Sequence, residues 1–191
     1  MDSGGLDSGP DLREFRDTIG LFATGVAVIA LEAAGEVHAM TANAVSSVSL
    51  DPMLVLFCPA KKSRLSAWLT PGLPFSVNVL RSEQRALSTY FAGGWREPAP
   101  PPYRFVSMGA APRLEGCLAS LGCAVHSVFD GGDHWIVMGA VRDLKRGVTP
   151  HEPLLFYRGR YGELAARSET AAPDLSEVTN EPAHVYYDSH G

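Results

Sequence analysis

The chain reads as a mainly β protein of the α+β class: a β-barrel with peripheral helices. Three observations predict it. Short apolar, β-branched runs recur along the chain, separated by Gly, Pro, Asp and Asn turn signals. Only two or three segments carry helical spacing. Strands and helices do not alternate in the βαβ manner, and neither G-x-G-x-x-G nor a Walker sequence is present. A dinucleotide, if one is used, is therefore not held in a Rossmann crevice.

The elements follow in order. Residues 1–10 are rich in Gly, Ser and Asp and are expected to be disordered. Asp11 is placed to cap a helix in which Leu12, Phe15, Ile19 and Phe22 recur, with Gly25 as its end. Residues 26–31 and 37–41 form a hairpin across 32–36, and 53–58 is a third strand stopped by Pro59. Leu65, Trp68 and Leu69 mark a short helix that begins near Ser63. Residues 75–80 are a strand, and Ser82 opens a helix with Leu87, Tyr90 and Phe91 on one face. Residues 93–105 are a Pro-rich loop. Residues 113–129 and 134–144 form a long hairpin across Asp130-Gly131-Gly132-Asp133. Residues 153–157 are the last strand, with a turn at Gly159. One domain thus spans 11–165, and 166–191 is a polar, acidic tail whose apolar patch, Val185-Tyr186-Tyr187, is expected to dock on a partner subunit.

Composition narrows the function. A chain of 191 residues, 46% apolar and 19% charged, suits one globular domain with a real core. The net charge of −5 and scattered Lys and Arg exclude a nucleic-acid footprint. No apolar run reaches membrane-span length, and the N-terminus has neither a cationic nor an apolar signal region. Cys58, Cys117 and Cys123 are odd in number and form no C-x-x-C, which fits a reducing cytoplasm. The His residues form no ligand spacing, so no metal is expected.

Four constellations could carry chemistry. The segment 39–49, AMTANAVSSVS, has seven Ala, Ser or Thr among eleven residues and no charge. Small side chains let the backbone approach something flat, and Thr41, Asn43, Ser46 and Ser47 could serve its polar edge. A tightly packed strand with side-chain-to-backbone hydrogen bonds would read the same way. In CPAKKSRLSAWL, Lys61, Lys62 and Arg64 crowd a helix start whose amides and Ser63 hydroxyl would welcome a phosphate. Three solvated cations are the plainer reading. In FDGGDHWIVMGAV, a glycine turn could aim His134 over a barrel mouth, or leave it in solvent. In YRGRYGEL, Arg158, Arg160 and Tyr161 could stack on a ring, or form an exposed hairpin tip.

Taken in this order, FRDTIGLFATGVAVIA, HAMTANAVSSVSLDP, CPAKKSR, GDHWIVMGAV and PLLFYRGRYGEL closely resemble the short-chain flavin reductase family, over about residues 12–164. The resemblance implies an FMN-binding split β-barrel, a Greek-key antiparallel barrel with peripheral helices, that forms a homodimer. It implies an enzyme that oxidises NADH (or NADPH) and releases reduced FAD (or FMN) to a separate monooxygenase. By position, Thr41, Ala42 and Asn43 would lie along the isoalloxazine and ribityl chain, and Ser46, Ser47 and Val48 would continue that wall. Cys58, Lys62 and Ser63 would sit near the ring edge and phosphate, and Ala92 and Gly93 would border the phosphate end. His134 would meet the nicotinamide as an orienting residue, and Tyr161 would lie near the stacked rings. Hydride transfer needs no protein acid or base, since both reacting atoms belong to cofactors. Two other readings stay open: an oxidase on the same barrel with a tightly held flavin, and a non-enzymatic flavin-binding module.

Overall fold

The computed structural model describes Gly9 and residues 11–148 and 151–164. The expectations for the remainder of 1–10 and for 166–191, with its Val185-Tyr186-Tyr187 patch, lie outside the described residues. Helix α1 (Leu12–Ile19) is followed by β1 (Thr24–Gly25), β2 (Ala27–Ala33), β3 (Glu36–Ala42), β4 (Val45–Leu50) and β5 (Met53–Phe57). A short 3-10 turn (Arg64–Trp68) leads to β6 (Pro74–Val79), and a second (Ser82–Gln84) leads into α2 (Arg85–Phe91). Then come β7 (Phe105–Met108), β8 (Ala111–Leu114), β9 (Ala119–Gly131), β10 (His134–Arg146), β11 (Leu155–Tyr157) and β12 (Arg160–Gly162).

The main sheet is antiparallel, with seven strands in the order β3-β2-β6-β9-β10-β5-β4. Its edges, β3 and β4, do not pair, so the barrel is split along that seam. The mainly β, split-barrel expectation is met. β2 shows why its sequence is continuously apolar. Side chains alternate across a strand. Ala27, Ile29 and Leu31 enter one core with Phe57, Phe75 and Val137. Val26 and Val28, at the start of the strand, enter a second core with Leu80, Leu87 and Leu114. β6 divides similarly: Phe75 and Val77 join the first core, and buried Asn78 ties the other face together. Its amide donates to the Val28 carbonyl at 3.0 Å, and its oxygen accepts from Leu114 N and Ser120 Oγ, both at 3.0 Å. A buried amide satisfied on both sides fixes β8 against the sheet. Gly139 is required on β10, because a Cβ there would collide with the Phe75 ring.

Several boundaries differ from expectation. α1 ends at Ile19, not Gly25, because the Gly20 carbonyl accepts from Arg158 N at 2.9 Å and pulls the chain to the β11–β12 turn. The strand expected over 113–129 is broken: β8 stops at Leu114, Gly116 turns with φ +75°, and β9 starts at Ala119. The piece before the break pairs with β7, which begins at Phe105, the last residue of the expected Pro-rich loop. The helix expected at Ser63 is only a five-residue 3-10 turn. The small-residue segment contributes the end of β3 and all but the last residue of β4.

Candidate functional site

The site is built where the seam meets the β5 and β10 ends. β5 stops at Phe57, and Cys58 N donates to the Ala44 carbonyl at 3.1 Å, beside Asn43. The chain then runs through Pro59 to Ser63 against the glycine turn of β9–β10. Trp135 N donates to Pro59 O at 2.9 Å, Lys61 N donates to Asp133 O at 3.0 Å, and Ala60 bridges His134. Two constellations about 70 residues apart in sequence are thus zipped together. Gly132 makes the turn possible with φ +81°. Lys61 closes it, pairing with the Asp130 carboxylate while its ammonium sits 4.5 Å from the Trp135 ring centroid.

The electrostatics fix the histidine. His134 Nδ1 lies 2.7 Å from Asp133 Oδ1. That hydrogen bond holds the Asp133 carboxyl below its usual range. An ionised carboxylate only accepts, so Nδ1 donates, and in the neutral form of the ring Nε2 is then the acceptor. Asp130 is held down similarly, by Lys61 and then by Gly132 N–H. Burial pushes the Cys58 thiol up.

Two abutting cavities, of about 450 and 490 Å³, share Phe22, Thr24, Asn43, Val45 and Ser46. Ser47, Val55 and Val77 line the first, and Ile19 and Phe156 line the second. An apolar wall with an amide and hydroxyls at one edge fits a flat heteroaromatic ring with a polar rim. Among the residues singled out from sequence, Asn43, Ser46 and Ser47 meet here. Val48 does not line either cavity: it is the extra residue of a bulge in β4 and is exposed. Ala42 is buried in the first core.

The others lie close by but are engaged. Thr41 Oγ1 donates to the Ser88 carbonyl at 2.7 Å, docking α2 on β3. Ser88 Oγ lies 2.8 Å from the Tyr161 hydroxyl, whose ring packs edge-on to Phe156 and carries the Arg85 guanidinium 5.3 Å from its centroid. The Ser63 hydroxyl accepts from Ser66 N and bonds Ser66 Oγ, so it caps its own turn. Ala92 and Gly93 end α2, and their amides donate to Ser88 O and Tyr90 O, both at 3.0 Å. A helix C-terminus presents carbonyls, which a phosphate avoids. Lys62 is exposed and has no ion pair among the described residues; its charge is felt at Asp133. Phe22, Thr24 and Phe156 were missed from sequence. Phe22 continues the α1 apolar stripe past the Gly20 cap, and that misfit was the available signal.

Residues 19–165 match the flavin reductase like domain model. The chain belongs to this family. It is 39% identical over 169 residues to the reductase subunit HsaB of a flavin-dependent monooxygenase from Rhodococcus jostii, covering 85% of this chain and 83% of that one. It is 35% identical over 172 residues to an NADH-dependent flavin reductase from a Rhodococcus species, covering 87% and 96%. Among solved structures, flavin reductase PheA2 aligns with TM-score 0.76 and 40% identity over 82% of this chain and all of that chain. The NADH:FAD oxidoreductase SgcE6 of Streptomyces globisporus, in complex with NAD and FAD fragments, aligns with TM-score 0.75 and 33% identity over 86% and 99%.

Proposed function

We propose that this chain is an NADH-dependent flavin reductase that takes FAD or FMN as a diffusible substrate and passes reduced flavin to a separate monooxygenase. The observation that carries the reading is the double cavity at the seam, apolar on its walls and polar along Asn43 and Ser46, with the chain that leads to the zipped His134 turn tied to it by Cys58 N on Ala44 O. When bound, the nicotinamide supplies a hydride and the flavin ring accepts it. The chain's own residues bind and orient. Asn43, Ser46 and Ser47 serve the ring's polar rim, with Val45 and Phe22 against its face. Lys62, solvent-facing near Asp133, pairs with phosphate. Thr41 and Tyr161 hold α2 and the β12 ring in place behind the site, and Cys58 ties the end of β5 to Ala44 at its edge. His134, held by Asp133, offers Nε2 to a carboxamide N–H, which orients the nicotinamide without carrying a proton. An alternative with a permanently held flavin finds no support in the relatives' names.

The working form is a homodimer. α1 buries none of its residues in the single chain, although Leu12, Phe15 and Ile19 form an apolar stripe beside the second cavity. Three free cysteines suit the cytoplasm. No helix among the described residues is long and apolar enough to cross a membrane. The test is oxidation of NADH and of NADPH with FAD, FMN and riboflavin in turn. Acceleration only with added flavin, and more with NADH, is expected. No acceleration by any flavin overturns the reading.

A further inference from the structure

A second polar cavity, of about 290 Å³, lies far from the seam. Its wall carries Arg81, Arg113, Lys145, Arg146 and His151, and no carboxylate. It shares no residue with the two cavities at the seam. β10 shows the separation: His134 pairs with Gly131 at one end, and Arg146 with Ala119 at the other. Twelve residues at about 3.3 Å each put roughly 40 Å of strand between them.

Four permanent cations converge here in a chain whose net charge is −5. Glu83 touches the rim, 3.9 Å from Arg81 Nε and 3.2 Å from His151 Nδ1. Glu115, the other carboxylate near Arg113, is already held by Arg104 through bonds of 2.8 and 2.7 Å. Cys117 in the wall stays a neutral thiol, because burial pushes it up to about 11. Arg81 also spends only part of its donor fork. One terminal nitrogen meets His151 Nε2 at 2.9 Å, but its buried Nε has no hydrogen-bond partner. A buried guanidinium donor without a partner is costly, and an ion is one of the few things that relieves it.

We infer that this cavity is an anion site for a compact tetrahedral dianion of the phosphate class. Arginine forks match such oxyanions in two-point contacts, and lysine adds a point charge. The volume, at the lower bound of about 300 Å³ for small-molecule pockets, admits phosphate and excludes a dinucleotide. The inference stands independently of the reductase reading, since no residue is common to both.

Titration calorimetry of the full chain with inorganic phosphate, at ionic strength matched with chloride, tests it. One saturable site per chain, tighter than about 1 mM, is expected. Arg113→Gln and Lys145→Glu should each weaken it at least tenfold, and Lys62→Gln, at the seam, should leave it unchanged. Lys145 is exposed, so its variant reads the site even if Arg113→Gln fails to fold. No saturable binding, binding indifferent to Lys145→Glu, or binding lost only in Lys62→Gln overturns the inference.

Discussion

β2 and α1 are equally apolar where it counts, yet they meet opposite fates. Ile29 and Leu31 on β2 are 0% exposed, whereas Phe15 and Ile19 on α1 are 59% and 55% exposed. The strand is sandwiched between two cores of its own chain. The helix is tied at its ends: Asp11 Oδ1 accepts from Glu14 N at 2.7 Å, and Gly20 O accepts from Arg158 N at 2.9 Å. The core around β2 is therefore complete within one chain, while the apolar stripe of α1 beside the cavity is uncovered.

The comparison can be broken most forcefully in the core. Phe57→Ala should cost about 3–5 kcal/mol of stability in denaturant unfolding, because Phe57 is fully buried against Phe75. The pair Phe15→Ser and Ile19→Ser should leave the barrel folded but shift sedimentation from dimer to monomer and weaken flavin binding. A variant that stays dimeric with unchanged flavin affinity would show that α1 covers nothing. On the open side, His134→Ala removes one hydrogen bond, worth about 0.5–1.5 kcal/mol. KM for NADH should rise roughly two- to tenfold, with flavin affinity unchanged. Total loss with intact flavin binding would make the ring more than an orienting group.

Tyr161→Phe sharpens the contrast at the second core. It leaves Ser88 Oγ without its phenol partner and should cost about 1 kcal/mol, with the aromatic contact to Phe156 kept. The smallest effect is at the Lys61–Asp130 clamp. Asp130 and Asp133 are lowered in the folded chain, so what they contribute is present above the unfolded value near 3.9 and is lost as pH falls through the folded values. Both are exposed, so the loss should be slight and should shrink in salt. Lys61→Met should flatten the acid dependence of unfolding that comes from Asp130. An unchanged acid limb would mean the clamp contributes nothing.

The order of strands was legible because β2, β5, β6 and β10 are bulky, β-branched runs bounded by turn residues. β7 and β8 were not, since a Pro-rich stretch hid the first and a continuous apolar reading ran through the Gly116 turn. In the candidate site, the hydroxyl-rich wall at Asn43, Ser46 and Ser47 was readable from composition alone. The partnership of Lys61 with Asp130 was not, because nothing local links residues 61 and 130. Ser63, Thr41 and Tyr161 illustrate the opposite error: side chains that look available to a ligand are spent on their own backbone or on Ser88. The stripe on α1 predicted a helix correctly, but an amphipathic pattern cannot say which surface will cover it.

The central claim is that the chain turns over free flavin. The direct measurement is anaerobic: a trace of protein with excess NADH and excess FAD, following reduced FAD in solution. Many equivalents of reduced FAD per chain are predicted. Reduction that halts at one equivalent, or never begins, would contradict the account.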